Sequence, residues 1–446
     1  MSAEKKGAKA SRTPSSMPPA VLSREDAGAG RTIEPEEGVR VTVLDTGVTV
    51  ISHAMPHLKT VALGLWVRAG SRDEMPDEAG VAHFLEHMAF KGTSRRSARE
   101  IAEAIEGRGG DLNAATSSET TGYTAHVLKE DWALALDVIA DIVTDPVFDP
   151  AEMERERGVI LQEIAAAHDD PVDLVFEQAE EAAFDGHPLG RSVLGRPETV
   201  GRLMPDDLRA FRARTYLSGA MVLSAAGNVD HDALAREAAA RLARVPQGSG
   251  PERQPPRFHP GRRIRQRPQD QTHIVLAWPA PGYRDEQVWA AQAASAILGG
   301  GMASRLFQVL REQRGLCYAT YSYYSAWADA GLIYLYAATA PERAEEAEAL
   351  MRSLASGLSK DISAEELDRA KAQGRAGLVM SLESPVARAG QMARQMLGYG
   401  RVPPIQEFLA RIEAVQPEMV SDAARAIFAR EPVVSRVEAT GRSEDV

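Results

Sequence analysis

The chain has 446 residues, of which 44% are hydrophobic and 26% are charged, and this ordinary globular composition is long enough for two or more domains. Its formal net charge of −12 argues against general nucleic-acid binding and suits basic peptide partners. The single cysteine, Cys317, excludes an internal disulfide framework. Because the sequence also lacks a run of about 18 apolar residues, we predict a cytoplasmic protein without a membrane span.

The chain begins with a segment of low hydrophobicity. Residues 1–35 are rich in Lys, Ala, Ser, Pro and Gly and contain no apolar signal-peptide core, so they are predicted to be a disordered tail, as are residues 442–446. The following stretches at 39–52 and 61–67 predict β-strands. Apolar spacing at 132–143 and 344–358 predicts long amphipathic helices. Strands mixed with runs of helices indicate the α+β class.

The first motif with chemical meaning is H-x-x-E-H, formed by His83, Glu86 and His87. Positions i, i+3 and i+4 lie on one face of a helix, so two imidazoles can share a metal ion with a carboxylate beside it. This order of residues is the inverzincin signature. A solvated helix face is the alternative for a bare motif. We favour a metal site because the polar trio has apolar neighbours, and buried polar groups need partners or a metal; these neighbours are Phe84, Leu85, Met88 and Phe90.

A catalytic zinc ion needs a third protein ligand and one open position, and segment 149–167 is the best source of that ligand. It begins like a helix, with Asp149 as the N-cap and a proline at the first helical position. It carries Glu154, Glu156 and Glu163, of which the last two lie two turns apart and share a face. The residues alone do not decide which glutamate is the ligand, and surface charge is the commoner fate of such residues.

The sequence repeats itself at an offset of about 212 residues, which indicates an ancient duplication. The matching anchors are Thr60–Glu74 with Thr272–Glu286, Asp170-Pro171 with Ser384-Pro385, and Met204-Pro205 with Gln416-Pro417. We therefore predict two homologous α/β-sandwich domains, at 36–245 and 271–441. They are joined by a linker at 246–270 that is dense in Pro, Gly and Arg.

The duplication provides an internal control for the metal motif. The histidines and glutamates of the first half project onto small or apolar residues of the second half, namely Ser295, Leu298, Gly299, Ala370 and Gly377. If the polar residues served only the fold, some would be expected to recur. Their replacement supports a metal site in the first half alone.

Four stretches give the chain a resemblance to the pitrilysin family of zinc peptidases, most closely to single-chain bacterial members similar to the β subunit of mitochondrial processing peptidase. They are GVAHFLEHMAFKGT (80–93), GGDLNAATSSETTGY (109–123), ERERGVILQEI (154–164) and GGGMASRLFQVLREQRGLCY (299–318). The resemblance implies one Zn²⁺ per chain, held by His83, His87 and Glu163, with Glu156 behind them as an orienting carboxylate. It agrees with Glu86 as the general base.

The same resemblance implies a peptide-binding surface. Residues Leu112, Asn113, Ala114 and Ala115 would form an edge strand that pairs with the substrate backbone, and an ordinary hairpin strand is the alternative. Arg311 and Tyr318 of the second half would reach across to hold the substrate. Without the resemblance, they are typical of a helix surface and a strand far from any zinc.

The resemblance implies a clamshell-like arrangement, in which the two halves close around a chamber. The predicted function is zinc-dependent hydrolysis of peptides or extended precursor segments inside this closed chamber. A homodimer is expected because one chain carries both the zinc motif and the Arg/Tyr pair, and a heterodimer is the alternative. Two other functions stay open. One is a non-catalytic core subunit of a larger complex, which the intact set of ligand types disfavours. The other is a protease dedicated to maturing one peptide precursor.

Overall fold

The computed structural model describes residues 30–441, so the predicted tail segments 1–29 and 442–446 lie outside the described residues. Twelve strands in this range are named in chain order: β1 Thr32–Glu36, β2 Val39–Val43, β3 Thr49–Ala54, β4 Thr60–Val67, β5 Asp111–Thr116, β6 Thr121–Leu128, β7 Met221–Gly227, β8 Gly261–Arg267, β9 Thr272–Ala280, β10 Cys317–Ala326, β11 Gly331–Thr339 and β12 Val433–Ala439. They form a seven-stranded sheet, in the order β1-β2-β3-β7-β4-β6-β5, and a five-stranded sheet, in the order β10-β11-β9-β12-β8.

Helices pack on both sheets. This combination of helices and sheets confirms the predicted α+β class. The α-helices of the described range are α1 Val81–Ala89, α2 Ala98–Glu106, α3 Trp132–Thr144, α4 Pro150–Asp169, α5 Pro171–Ala183, α6 Pro197–Val200, α7 Pro205–Thr215, α8 His231–Arg241, α9 Val288–Gly299, α10 Ala344–Gly357, α11 Ala364–Ser381, α12 Pro385–Tyr399, α13 Ile405–Ala414 and α14 Pro417–Phe428. Within residues 30–441, no helix is both long and apolar enough to cross a membrane.

The strand order repeats between the two sheets. The run β7-β4-β6-β5 of the first sheet corresponds to β12-β9-β11-β10 of the second. Neighbours within both runs are antiparallel. In both sheets the next strand is parallel, β3 beside β7 and β8 beside β12. The repeated sequence anchors therefore begin corresponding elements, such as α7 and α14.

One helix of each half packs on the sheet of the other half. Helix α5 of the first half packs against β9, β11 and β12, where Val175 and Tyr334 are fully buried. Helix α12 of the second half packs against β3, β4 and β7, where Met392 and Ile51 are fully buried. Both helices begin at an anchor of the duplication, where the side chain of Asp170 or Ser384 caps the helix. Each sheet thus needs a helix from the other half to cover one of its faces.

Two segments that the sequence analysis placed in the tail and the linker form strands, so those parts of the assignment are wrong. Residues 32–36 form β1, which pairs with β2 and buries Ile33. Residues 261–267 form β8 at the edge of the second sheet, where Arg262 contacts Glu348 at 3.2 Å. The side chains of β8 are mostly exposed. Its sequence therefore lacks the alternating apolar pattern from which a half-buried strand is predicted.

Candidate metal centre

Helix α1 presents the H-x-x-E-H motif on a buried support. Phe84, Leu85 and Met88 are at most 1% exposed and belong to the core of the first half. This burial fixes the rotation of the helix about its axis. The side chains of His83 and His87 project on the other face, where they are 12% and 17% exposed.

Helix α4 brings the third predicted ligand to this face. The helix begins as predicted, because the Asp149 side chain accepts hydrogen bonds from two backbone N–H groups of the first turn. Oε2 of Glu163 lies 3.7 Å from Nε2 of His83 and 3.7 Å from Nε2 of His87. The two imidazole rings meet edge to face with centroids 4.6 Å apart. The structure therefore brings the three predicted ligands together, with one donor atom of each within 4.8 Å of the others.

Glu156 lies behind His87 and orients its imidazole. Oε2 of Glu156 is 3.0 Å from Nδ1 of His87, and Oε1 is 2.6 Å from Nζ of Lys91. A carboxylate on Nδ1 favours the tautomer with the proton on that nitrogen, which leaves the lone pair of Nε2 free for a metal. Nδ1 of His83 is buried and has no hydrogen-bond partner in the described part of the chain.

The donor set fits a zinc ion. Tetrahedral zinc with bonds of about 2.0–2.2 Å places its ligand atoms about 3.4 Å apart, close to the two distances of 3.7 Å from Glu163 to the histidines. Burial and the neighbouring His87 lower the pKa of His83 to about 4. His83 is therefore a neutral imidazole at neutral pH, which is the form that binds metal.

Glu86 lies beside the three donors and is held by a strand of the sheet. Thr116, the last residue of β5, donates its hydroxyl to Oε2 of Glu86 at 2.5 Å. Burial raises the pKa of Glu86, whereas the hydrogen bond from Thr116 lowers it. A carboxylate with a raised pKa is suited to accept and return a proton near neutral pH.

Strand β5, which contains residues 112–115, is the terminal strand of the first sheet and pairs only with β6 among the described strands. Leu112 and Ala114 pack against the core of the first half, while Asn113 and Ala115 are exposed. Two of the four residues, Ala114 and Ala115, have small side chains. The strand is thus available for pairing with another extended chain.

Arg311 and Tyr318 lie together but do not contact the metal centre. Arg311 belongs to a π-helical segment, Phe307–Gln313, and its guanidinium carbon is 4.7 Å from the centroid of the Tyr318 ring. Tyr318 is 77% exposed. Within residues 30–441, no hydrogen bond, ion pair or ring contact joins either side chain to His83, His87 or Glu163.

Two supporting residues were not identified from the sequence. Glu74, which is 4% exposed, accepts hydrogen bonds from the backbone N–H groups of Gly80 and Ala82 at 3.0 Å each, and so caps helix α1. Arg157 of α4 lies over the Phe84 ring at 5.5 Å. Glu74 belongs to a repeated anchor of the sequence, but that repeat does not reveal its role because Glu286, its counterpart, is exposed.

Comparisons with known proteins agree with this geometry. The family described as "Insulinase (Peptidase family M16)" matches residues 49–197, which hold the metal-centre residues, and "Peptidase M16 inactive domain" matches 202–373, which hold Arg311 and Tyr318. A protein of Mycobacterium leprae named "Uncharacterized zinc protease" is 40% identical over 86% of this chain and 88% of its own length.

Two solved structures share the fold. One is the "peptidase M16 inactive domain from Pseudomonas fluorescens", with a TM-score of 0.84 and 22% identity over 92% of this chain and 99% of that one. The other belongs to "Complex III2 from Candida albicans", with a TM-score of 0.80 and 25% identity over 90% of this chain and 96% of that one. Both similarities extend over both halves of the chain.

Proposed function

The chain belongs to peptidase family M16, the insulinase family, and on that premise we propose that it is a zinc-dependent endopeptidase. The observation that carries the proposal is the convergence of His83, His87 and Glu163 at zinc-ligand spacing, with Glu86 beside them. The zinc protease of Mycobacterium leprae supports the choice of metal. We infer one Zn²⁺ per chain, because the second half has no equivalent donors at the projected positions.

When bound, Zn²⁺ would lower the pKa of a water molecule and polarise the carbonyl of the peptide bond. Glu86 would accept a proton from the attacking water as the new C–O bond forms, and would deliver it to the amide nitrogen as the C–N bond breaks. The hydrogen bond that Thr116 donates to Oε2 would hold the Glu86 carboxylate in place during this transfer. Glu156 would keep His87 in the metal-binding tautomer throughout.

The open edge of β5 supports an extended peptide as the substrate. A segment added beside residues 112–115 would form main-chain hydrogen bonds with the strand whose last residue, Thr116, holds Glu86. The net charge of −12 favours basic peptides. Arg311 and Tyr318 would bind the substrate from the second half, with the two halves enclosing a chamber in a homodimer.

Replacing Glu86 tests the catalytic proposal. In the zinc-loaded protein, Glu86→Gln should lower the rate of peptide cleavage by about 10²- to 10⁴-fold, because an amide cannot accept the proton. Glu106→Gln, at an exposed glutamate of helix α2, serves as the control and should cleave at the wild-type rate. Zinc content is measured in parallel. The proposal is wrong if zinc-loaded Glu86→Gln cleaves peptides as fast as the wild-type protein.

A non-catalytic core subunit is the second candidate, and the similarity to a chain of complex III favours it. The complete donor set weighs against it. The zinc content of the purified protein separates the two functions, since a peptidase should hold about one zinc per chain and lose activity with a chelator. A zinc-free protein that does not cleave peptides would favour the core subunit.

A further inference from the structure

A cavity of about 1030 Å³ lies between the two halves of the chain, and none of the metal-centre residues lines it. Its walls come from the β5–β6 turn (117–120), segment 249–253, the β10–β11 hairpin (325–329) and helix α12. Both halves therefore contribute to it. Its volume is at the upper end of the range typical of small-molecule sites.

Ion pairs occupy two of the four acidic groups in the wall, Glu119 and Asp329. Arg72 contacts Glu119 of the first half at 2.8 Å and Asp329 of the second half at 2.7 Å. Arg253 contacts Asp73 at 2.7 Å and Glu119 at 3.3 Å. The carboxylates of Glu119 and Asp329 thus already have cationic partners.

Three further arginines of the wall have no carboxylate partner among residues 30–441. Arg68 donates to the backbone carbonyls of Ser249 and Pro251, and Arg284 donates to the carbonyl of Gly398. Arg394 makes no hydrogen bond or ion pair in the described structure, although surrounding protein lowers its pKa by desolvation. Arg284 and Arg394 are exposed and Arg68 is half-buried, so these guanidinium groups can be reached from the cavity and can donate charge-assisted hydrogen bonds to an anionic ligand.

The two remaining acids of the wall, Glu180 and Glu252, do not fully balance these three arginines. Glu180 accepts a hydrogen bond from the Tyr334 hydroxyl at 2.7 Å, and burial raises its pKa to about 7. Glu252 is exposed and forms no ion pair in the described structure. The wall therefore retains a surplus of positive charge.

The cavity also has an apolar part and an unused polar atom. Tyr283 and Tyr399 form an edge-to-face pair with centroids 5.4 Å apart, and Phe408 lies beside Tyr399. Gln395, which is 6% exposed, lines the cavity, and its Oε1 has no hydrogen-bond partner in the described range. The wall thus combines guanidinium groups with aromatic rings, as in sites for organic anions.

We propose that this cavity is a second ligand site, separate from the metal centre, for a small organic anion. The carboxylate or phosphate of the ligand pairs with Arg68, Arg284 and Arg394, and its apolar or aromatic portion packs against the tyrosines. The carboxylate could belong to a peptide end and the phosphate to a phosphorylated small molecule. Because both halves form the wall, a bound anion stabilises their contact.

Calorimetric titration of the zinc-loaded protein tests the proposal with two probes, N-acetyl-tyrosine for the carboxylate and phenyl phosphate for the phosphate. N-acetyl-tyrosinamide is the neutral control. Loss of a charge-assisted hydrogen bond should weaken binding by about 10- to 100-fold, so we expect this loss in Arg394→Gln. Arg244→Gln removes the same charge at an exposed residue outside the cavity and should bind as the wild-type protein does.

The titration with His87→Ala separates this cavity from the metal centre, since an anion bound at zinc would lose its site. We expect binding to persist in His87→Ala and to be about 10- to 100-fold weaker in Arg394→Gln. Binding of only one probe identifies the ligand as a carboxylate or as a phosphate. The proposal is overturned if neither probe binds more tightly than about 1 mM, if Arg394→Gln binds like the wild-type protein, or if His87→Ala abolishes binding.

Discussion

Glu74 should contribute strongly to the stability of the helix that carries the two histidines. The N-cap of helix α1 is Gly80, whose φ of +94° is left-handed and which has no side chain to cap the helix. The two oxygens of Glu74 instead accept from the N–H groups of Gly80 and Ala82 at 3.0 Å. Glu74→Ala would leave two buried donors without acceptors, at about 1–3 kcal/mol each, so we expect the free energy of unfolding to fall by about 2–6 kcal/mol.

The duplication offers a matched control for this substitution. Glu286 occupies the corresponding position of the second half, but its side chain is 66% exposed and lies 3.9 Å from Arg411. Glu286→Ala should change the free energy of unfolding by less than about 0.5 kcal/mol. Urea denaturation of both variants measures the difference. If the two variants are equally stable, Glu74 does not hold the start of α1.

Glu74 also predicts a dependence of stability on pH. Burial raises its pKa from 4.5 to about 8, against the opposing effect of its two backbone hydrogen bonds and of Arg191. The folded protein therefore holds a proton that the unfolded chain has lost between these pH values. The stabilisation linked to this proton is complete below pH 4.5 and is lost as the pH rises towards 8. Glu74→Gln does not titrate, so the difference in free energy of unfolding, wild type minus Glu74→Gln, should decrease across this window. A difference that is constant or rises with pH would refute the reasoning.

Two other substitutions test the support of the metal centre and the packing of the second half. Glu156→Ala should weaken zinc binding by about 10- to 100-fold in a chelator competition, because it removes the acceptor on a ligand imidazole. Glu152→Ala, at a partly exposed glutamate of the same helix that pairs with Arg155, should not. Gly299→Ala should lower the free energy of unfolding by about 1–3 kcal/mol, because the added Cβ would lie 2.0 Å from the backbone nitrogen of Ser322. Gly377→Ala, in the middle of α11 with open space around it, should raise it by about 0.5–1 kcal/mol. Urea denaturation measures both glycine variants, and shifts in the same direction would contradict the packing argument.

Local signals predicted those features whose causes are local. Asp149 followed by proline predicted the start of α4, because a capping side chain and a fixed φ act within one turn. The spacing of His83, Glu86 and His87 placed their side chains on one helix face for the same reason. Which glutamate of α4 meets the histidines depends on the packing of α4 against α1. That packing involves residues such as Arg157 and Phe84, far apart in sequence, and only the family resemblance indicated Glu163.

Features that depend on distant partners were missed. Strand β8 has a polar, arginine-rich sequence and owes its existence to main-chain pairing with β12, about 170 residues later. The packing of α5 and α12 on the sheet of the other half was not predicted. An amphipathic sequence indicates that one face of a helix is buried, but not which sheet covers that face. The cavity between the halves was missed too, since its arginines come from separate elements. The duplication contained one signal that could have predicted β8. The offset that relates the two halves places β8 at the position of β3, which is a strand.

The two halves show what the metal centre requires of the fold. In the second half, Gly299 occupies the position that His87 holds in the first, and a Cβ there would overlap the backbone of Ser322 on β10. Ser295, the counterpart of His83, bonds to the Ser322 hydroxyl at 2.6 Å. Helix α9 therefore packs directly onto its edge strand, without room for an imidazole. In the first half the corresponding contact between α1 and β5 is the bond from Thr116 to Glu86, so helix and strand are joined by the side chain proposed for catalysis. Restoring histidine at Gly299 would not recreate the site, because the space that a ligand side chain needs is filled by the edge strand itself.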